Sequence, residues 1–168
     1  MSAKSMVSTD LRFIADSMLG RLARWLRLLG FDTLYYPDIS DRDLLKLSMQ
    51  EGRLILTRDT HFIRMKNLRN LYFVHANSPI EQLREVIAAY NIRKFKTGRC
   101  AHCNGMLHRV DEKASLNNAV PEYVFLRCNS FERCSICGRV YWEGTHVKRF
   151  KMMLGNIVDE KVEAHENT

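Results

Sequence analysis

Proline is scarce in this chain, with three residues in 168, and glycine numbers only eight. So little of either argues against a disordered or collagen-like chain. No apolar run is long. Stretches such as Leu28-Leu29-Gly30-Phe31 stop after a few residues, whereas a bilayer-spanning helix takes about 20. The segment Met1 to Asp10 is polar and lacks the apolar centre of a secretory signal. The expectation is a soluble, cytoplasmic protein with no membrane partner. Cysteine is missing from residues 1–99, and the five that follow are an odd number, which a closed disulfide set would not leave.

What is present supports a folded, basic protein. Hydrophobic residues make up 46% of the chain, enough for a core. The formal net charge is +7. Residues 1–95 carry 15 Lys/Arg against 10 Asp/Glu, and residues 96–168 carry 11 against 9, so the excess lies mostly in the first part. A basic surface favours polyanions through counterion release, although a solvated cationic face without a partner has the same composition.

Hydrophobic periodicity predicts alternating strands and helices. Leu11 to Ala15 reads as a strand and Ser17 to Leu29 as a helix closed by Gly30. Thr33 to Tyr36 is a second strand, Asp41 to Gln50 a second helix ended by Gly52, and Arg53 to Thr57 a third strand. Thr60 to Lys66 is a short helical turn, Leu71 to His75 a fourth strand, and Ile80 to Tyr90 a helix opened by Ser78-Pro79. This order implies an α/β domain with a mostly parallel sheet flanked by helices, over residues 1–95. Residues 91–99 are read as a linker, 100–150 as a small zinc ribbon with short strands such as Tyr123 to Leu126, and 151–168 as a tail, partly helical or frayed.

The ribbon rests on two matching cysteine pairs. Cys100-Ala101-His102-Cys103 and Cys134-Ser135-Ile136-Cys137 each separate two thiols by two residues, with a glycine just beyond. Two such turns supply four soft ligands, which suits structural Zn²⁺. A redox dithiol is the main rival. Cys128 forms no pair of this kind, and His102 and His108 are not needed once four thiols are present.

Three acids are the candidates for chemistry. Asp16 and Asp59 each follow a strand, and Asp41 begins the second helix. In a parallel sheet the carboxyl ends of the strands line the ligand crevice. Acids converging there would repel unless a hard cation such as Mg²⁺ or Mn²⁺ neutralised them. Each also has a plainer reading: Asp16 and Asp41 as helix caps, Asp59 as a loop residue. Asp38 and Asp43 rank lower. Arg21, Arg24 and Arg27 recur every three positions, with Arg21 nearest Asp16 as the best phosphate clamp, and Arg58 precedes Asp59. Thr57 and Ser17 are candidates to orient a water, or else simply bond the local backbone. Tyr141, Trp142 and Phe131 are candidates to stack on bases, or else the ribbon's own small core. His146 and Arg149 are further candidate RNA-binding residues.

These residues carry a resemblance. The run from Phe13-Ile14-Ala15-Asp16-Ser17-Met18 to Leu29-Gly30-Phe31-Asp32, then Ser40-Asp41-Arg42-Asp43-Leu44-Leu45, then Leu54-Ile55-Leu56-Thr57-Arg58-Asp59, resembles a PIN-like ribonuclease family. That family is known from the C-terminal part of the Mut-seven exonuclease. Both cysteine pairs and Tyr141-Trp142-Glu143-Gly144-Thr145-His146 continue the likeness, which spans about residues 11–150. It implies a PIN-like nuclease fold with an appended zinc ribbon, in which Asp16, Asp41 and Asp59 bind divalent metal. Many PIN enzymes carry a fourth acid; here Thr60-His61 follows Asp59 and Asn77-Ser78 follows the fourth strand.

The function expected is a metal-dependent ribonuclease, endonucleolytic, with Mg²⁺ or Mn²⁺ on the three acids, structural Zn²⁺ on the four cysteines, and RNA gripped by basic residues and the ribbon. The alternative is a non-catalytic RNA-binding module with structural zinc. A third reading is a protein-interaction adaptor built on the ribbon.

Overall fold

The computed structural model describes residues 11–65, 68, 70–92, 98–116, 118–144 and 152. His146, Arg149, nearly all of the expected tail and the centre of the expected linker lie outside the described residues. The chain divides into two compact units, residues 1–104 and 105–168. No helix among the described residues is long and apolar enough to cross a membrane.

The first unit is built on four parallel strands: β1 (Arg12–Ala15), β2 (Asp32–Tyr35), β3 (Leu54–Thr57) and β4 (Leu71–Phe73), in the order β2-β1-β3-β4. The helices are α1 (Gly20–Leu28), preceded by a 3-10 turn at Ser17–Leu19, then α2 (Asp41–Glu51), α3 (Thr60–Arg64) and α4 (Pro79–Ala89). The α/β class and the mostly parallel sheet expected from the sequence are present.

Alternation along the strands sends side chains to two buried faces. Ile14 and its register partner Ile55 pack with Leu44 of α2 and Phe62 of α3. Phe13 points the other way, edge-on to the rings of Phe31 and Tyr90, on the side where α1 packs against α4. Local signals start and stop the helices. Ser40 caps α2 by accepting from the Asp43 amide, and Gly52 ends it at φ 61. Ser78 caps α4 with Pro79 at its first position. After α1, Gly30 takes φ 88 so that the chain can turn back into β2.

The amino edge of this sheet is held by charge. Arg53 is buried and donates to both oxygens of Asp32, at 2.7 and 3.2 Å, and to Glu51 at 2.7 Å. Burial alone would raise the Asp32 carboxyl, but hydrogen bonds from Arg53 and Asn104 outweigh it and leave its pKa below the usual aspartate value. Residues 98–104, which include the first cysteine pair, are fastened to the same edge. The buried Arg27 guanidinium donates to Thr33 O, Ala101 O and His102 O at 2.8, 3.1 and 2.9 Å. Asn104 accepts from the Thr33 amide and donates to Asp32 at 2.7 Å. These bonds explain why the first unit runs through Asn104, beyond the expected start of the ribbon at Cys100.

The second unit holds an antiparallel sheet of β5 (Leu107–Arg109), β6 (Phe131–Cys134) and β7 (Val140–Trp142). A 3-10 turn at Lys113–Leu116 and a helix, α5 (Glu122–Arg127), lie between β5 and β6. The expected strand at Tyr123 to Leu126 is therefore a correction. Pro121 precedes a first turn carrying Glu122, and only Val124 of the helix is buried while Tyr123 and Leu126 face solvent. The core of this unit gathers Leu116, Val120, Val124 and Phe131, with Trp142 and Cys128 packed on it.

A depressed carboxyl stabilises the fold above its ordinary pKa and loses that contribution as pH falls through the lowered value. Asp32 should therefore contribute fully above the ordinary aspartate value of 3.8 and lose its contribution at more acid pH. Asp32→Asn should cost about 1–3 kcal/mol near neutrality. Urea melts across pH should show the gap between the variant and the parent closing only below about pH 4.

Candidate active site and cysteine centre

The strand order reverses direction between β1 and β3, since β2 lies on one side of β1 while β3 and β4 lie on the other. Open α/β sheets bind ligands at the carboxyl end of such a point. Asp16 and Asp59 stand there, after adjacent strands. They are neighbours because β1 and β3 pair directly and the Asp16 amide continues their ladder to Leu56 O at 2.9 Å.

Thr57, wholly buried at the end of β3, joins the two acids. Its hydroxyl donates to Asp16 Oδ2 at 2.7 Å and accepts from the Asp59 amide at 2.9 Å. Asp16 Oδ1 accepts from the Ser17 amide at 2.6 Å and the Ser17 hydroxyl at 3.1 Å. Asp59 Oδ1 accepts from the His61 amide at 2.8 Å and so caps α3. Both acids thus act as caps at the carboxyl ends of adjacent strands, Asp16 as its plainer reading had it and Asp59 where a loop residue was the plainer expectation. Asp41 is exposed at the first position of α2, whose capping is done by Ser40, so its carboxylate is not needed for that task. Asp43 bonds the Ser40 hydroxyl at 2.7 Å.

The sulfurs of Cys100, Cys103, Cys134 and Cys137 all lie within 4.8 Å of one another. Tetrahedral Zn–S bonds of about 2.3 Å would place sulfurs roughly 3.8 Å apart, so this quartet could hold a zinc ion. Amides of Cys103, Ile136 and Cys137 point at the sulfurs of Cys100 and Cys134, at 3.4, 3.4 and 3.5 Å. Asn104, at φ 67, supplies the left-handed residue of the first turn, and Gly138, at φ 70, that of the second. Gly105 serves differently: a Cβ there would sit 2.8 Å from Cys134 Sγ. Cys128 lies outside the quartet, as do His102 and His108. Among the described residues this is the one group of three or more His, Cys, Asp or Glu side chains close enough to share an ion; Asp16, Asp41 and Asp59 do not form another.

A family model described as Mut7-C RNAse domain matches residues 11–154. The chain belongs to that family. No curated protein and no solved structure shows a significant match. The match covers the Asp16–Thr57–Asp59 rim and all four clustered cysteines of this Mut7-C domain.

The remaining candidates sort by exposure. Arg21 and Arg24 are exposed on α1, and neither has an acidic partner among the described residues. Arg27, on the same spacing, is buried and structural. Thr57 is too buried to touch substrate, so its place is to position Asp16 and Asp59. Arg58 bonds Ala76 O, and Asn77 Oδ1 at 2.6 Å, so it steadies the β4–α4 loop rather than standing free for phosphate. Phe131 is core and Trp142 packs on that core, which takes both away from the base-stacking reading. Glu85 is a residue that the sequence did not single out. Its carboxylate accepts from the His75 and Ala76 amides at 2.9 and 2.8 Å and shapes the same loop. The only signal was an acid on the inner side of a helix.

Zinc should be retained at one ion per chain after desalting, measured by elemental analysis. Cys100→Ser or Cys137→Ser should abolish stoichiometric zinc, whereas Cys128→Ser should keep it. Loss of zinc from the Cys128 variant would place a ligand outside the quartet.

Proposed function

We propose that the protein is a metal-dependent ribonuclease of the PIN-like type, cleaving RNA endonucleolytically. One observation carries the reading: Asp16 and Asp59 follow adjacent parallel strands at the point where strand order reverses, and the buried Thr57 hydroxyl donates to the Asp16 carboxylate while accepting from the Asp59 backbone amide.

The donor chemistry fits a hard divalent cation, since this rim offers carboxylate oxygens and no soft ligand. Asp16 and Asp59 would hold Mg²⁺ or Mn²⁺, with Asp41 as the third ligand. A cation bound there supplies a water nucleophile at neutral pH and stabilises charge on the phosphodiester. The chain's own residues do the rest. Ser17, Thr57 and the His61 amide fix the carboxylates, each of which keeps unused lone pairs beside the bonds it accepts. Arg21, exposed one turn beyond Asp16, neutralises phosphate charge. Zn²⁺ on the four cysteines is structural, because four thiolates leave no open position for catalysis.

A non-catalytic RNA-binding module is the second reading. The observation that favours it is that the three acids do not form a group as close as the cysteine quartet. Mn²⁺-dependent cleavage of single-stranded RNA separates the two. Asp16→Asn and Asp59→Asn should each lower the cleavage rate by about 100-fold or more. Thr57→Val should lower it by roughly tenfold to a hundredfold through displaced carboxylates. Undiminished cleavage by both aspartate variants, with the fold intact by circular dichroism, overturns the mechanism. RNA binding without cleavage by the parent protein selects the second reading.

A further inference from the structure

Beside the rim, on the side where α1 packs against α4, lies an open cleft of about 450 Å³. Its lining includes Ser17, Arg21, Arg24, Tyr35, Asn77 and Gln82, and contains no acidic residue. The volume falls within the range of about 300–1,000 Å³ typical of small-ligand sites, enough for one nucleotide. It is continuous with the rim at two places. Ser17 bonds Asp16 directly, and Asn77 accepts from Arg58, the residue before Asp59.

The walls are built rather than incidental. Tyr35 lies across Gly20 so closely that a Cβ there would come within 2.7 Å of the ring, and its hydroxyl donates to Ser17 O at 3.1 Å. Gln82 is buried and donates to Ala76 O and Asn77 O at 3.2 and 3.3 Å, which holds the opposite wall. The Arg21 and Arg24 guanidiniums have no acidic partner among the described residues, so their charge is available to a ligand.

We propose that this cleft is a nucleotide subsite that holds the RNA segment next to the scissile bond, with Arg21 and Arg24 on its phosphate and the polar wall of Asn77 and Tyr35 beside its sugar. The proposal rests on the ribonuclease reading for the identity of the polymer. It adds a recognition site distinct from the carboxylates. The ligand class is a single-stranded ribonucleotide chain: a stiff duplex presents its phosphates on a wide cylinder, while a flexible strand can lower one nucleotide into a cleft of this size.

The test is equilibrium binding of a short fluorescein-labelled oligouridylate, read by anisotropy. It uses the full chain carrying Asp59→Asn, without added Mg²⁺ or Mn²⁺, so that binding is measured apart from turnover. In that background Arg21→Ala with Arg24→Ala should weaken binding about tenfold or more. The slope of log affinity against log salt should become shallower by about 0.7 for each phosphate that is no longer neutralised. Asn77→Asp keeps an acceptor for Arg58 but places a negative charge in the cleft, and should also weaken binding. Arg42→Ala with Lys46→Ala removes two exposed charges from α2 and should change binding little. The proposal is overturned if the α1 pair binds like its background, or if the α2 pair weakens binding as much. Failure of the ribonuclease reading looks different: the parent protein then fails to cleave with Mn²⁺ while the weakened binding of the α1 variant persists.

Discussion

One hydroxyl group organises the carboxyl edge of this sheet. Thr57 is wholly buried, donates to Asp16 and accepts from the amide of Asp59. A hydroxyl has one proton to give, and here it goes to the carboxylate. That choice leaves the oxygen's lone pairs for the amide of the next loop. The two loops are therefore set against each other by a short polar link, on top of the ladder that already pairs β1 with β3. Two neighbouring negative charges would otherwise push these loops apart. The amides of Ser17 and His61 offset part of that repulsion, since each carboxylate sits where a helical turn begins and its first N–H groups lack partners. A rim of this construction tolerates negative charge without using arginine, and that leaves Arg21 and Arg24 uncommitted.

The amino edge follows the opposite logic. Arg27 and Arg53 are both buried, and both direct their donors inside the protein: Arg27 to three carbonyl groups, Arg53 to the Asp32 and Glu51 carboxylates. A buried guanidinium is costly unless its fork of donors is filled, and a planar group with five N–H bonds suits convergent carbonyls better than an ammonium would. Its rigid reach also explains why the turn bearing Cys100 and Cys103 belongs with the first unit. Asn104 adds a bidentate bridge, taking a proton from Thr33 and giving one to Asp32. The buried arginine bonds lie at one end of the strands and the candidate acids at the other.

Much of this was legible in the residues, for reasons that can be named. The helix ends were readable because Ser78, Pro79 and Gly52 each have a local mechanism that no distant interaction overrides, whereas at α2 the cap is Ser40 and not the expected Asp41. The cysteine quartet was readable because its spacing encodes its geometry. Strand order was not readable from local pattern, so the direct pairing of β1 with β3, which sets Asp16 and Asp59 after adjacent strands, comes from the structure. The part played by Thr57 was hidden for the same reason: a threonine ending a strand has the same sequence signature whether it faces water or bridges two acids. At Tyr123 to Leu126, aromatic and branched residues suggested a strand. The structure is a helix because Pro121 and Glu122 start one, and the small core takes Val124 fully and Phe125 in part from it.

The three arginines of α1 show where composition stops being informative. Arg21, Arg24 and Arg27 are equally spaced, and each step of three residues falls about 60° short of a full turn. Over two steps the direction rotates by about 120°, so a side chain that begins on the solvent face can end facing the sheet. Arg21 and Arg24 line the cleft, while Arg27 is buried under β2 and the first cysteine turn. The same holds for the excess positive charge at large. Arg53 and Arg99 are paired with acids or carbonyls, and Arg58 is tied to the β4–α4 loop. A net charge counts all of these as attraction for a polyanion, yet a cation already neutralised releases few counterions when RNA arrives. What draws a nucleic acid is the subset left unpaired beside a surface shaped to receive it. On the proposed reading, Arg21 and Arg24 belong to that subset: they have no acidic partner among the described residues and line the cleft beside the carboxylate rim, where hydroxyls and amides hold the acids.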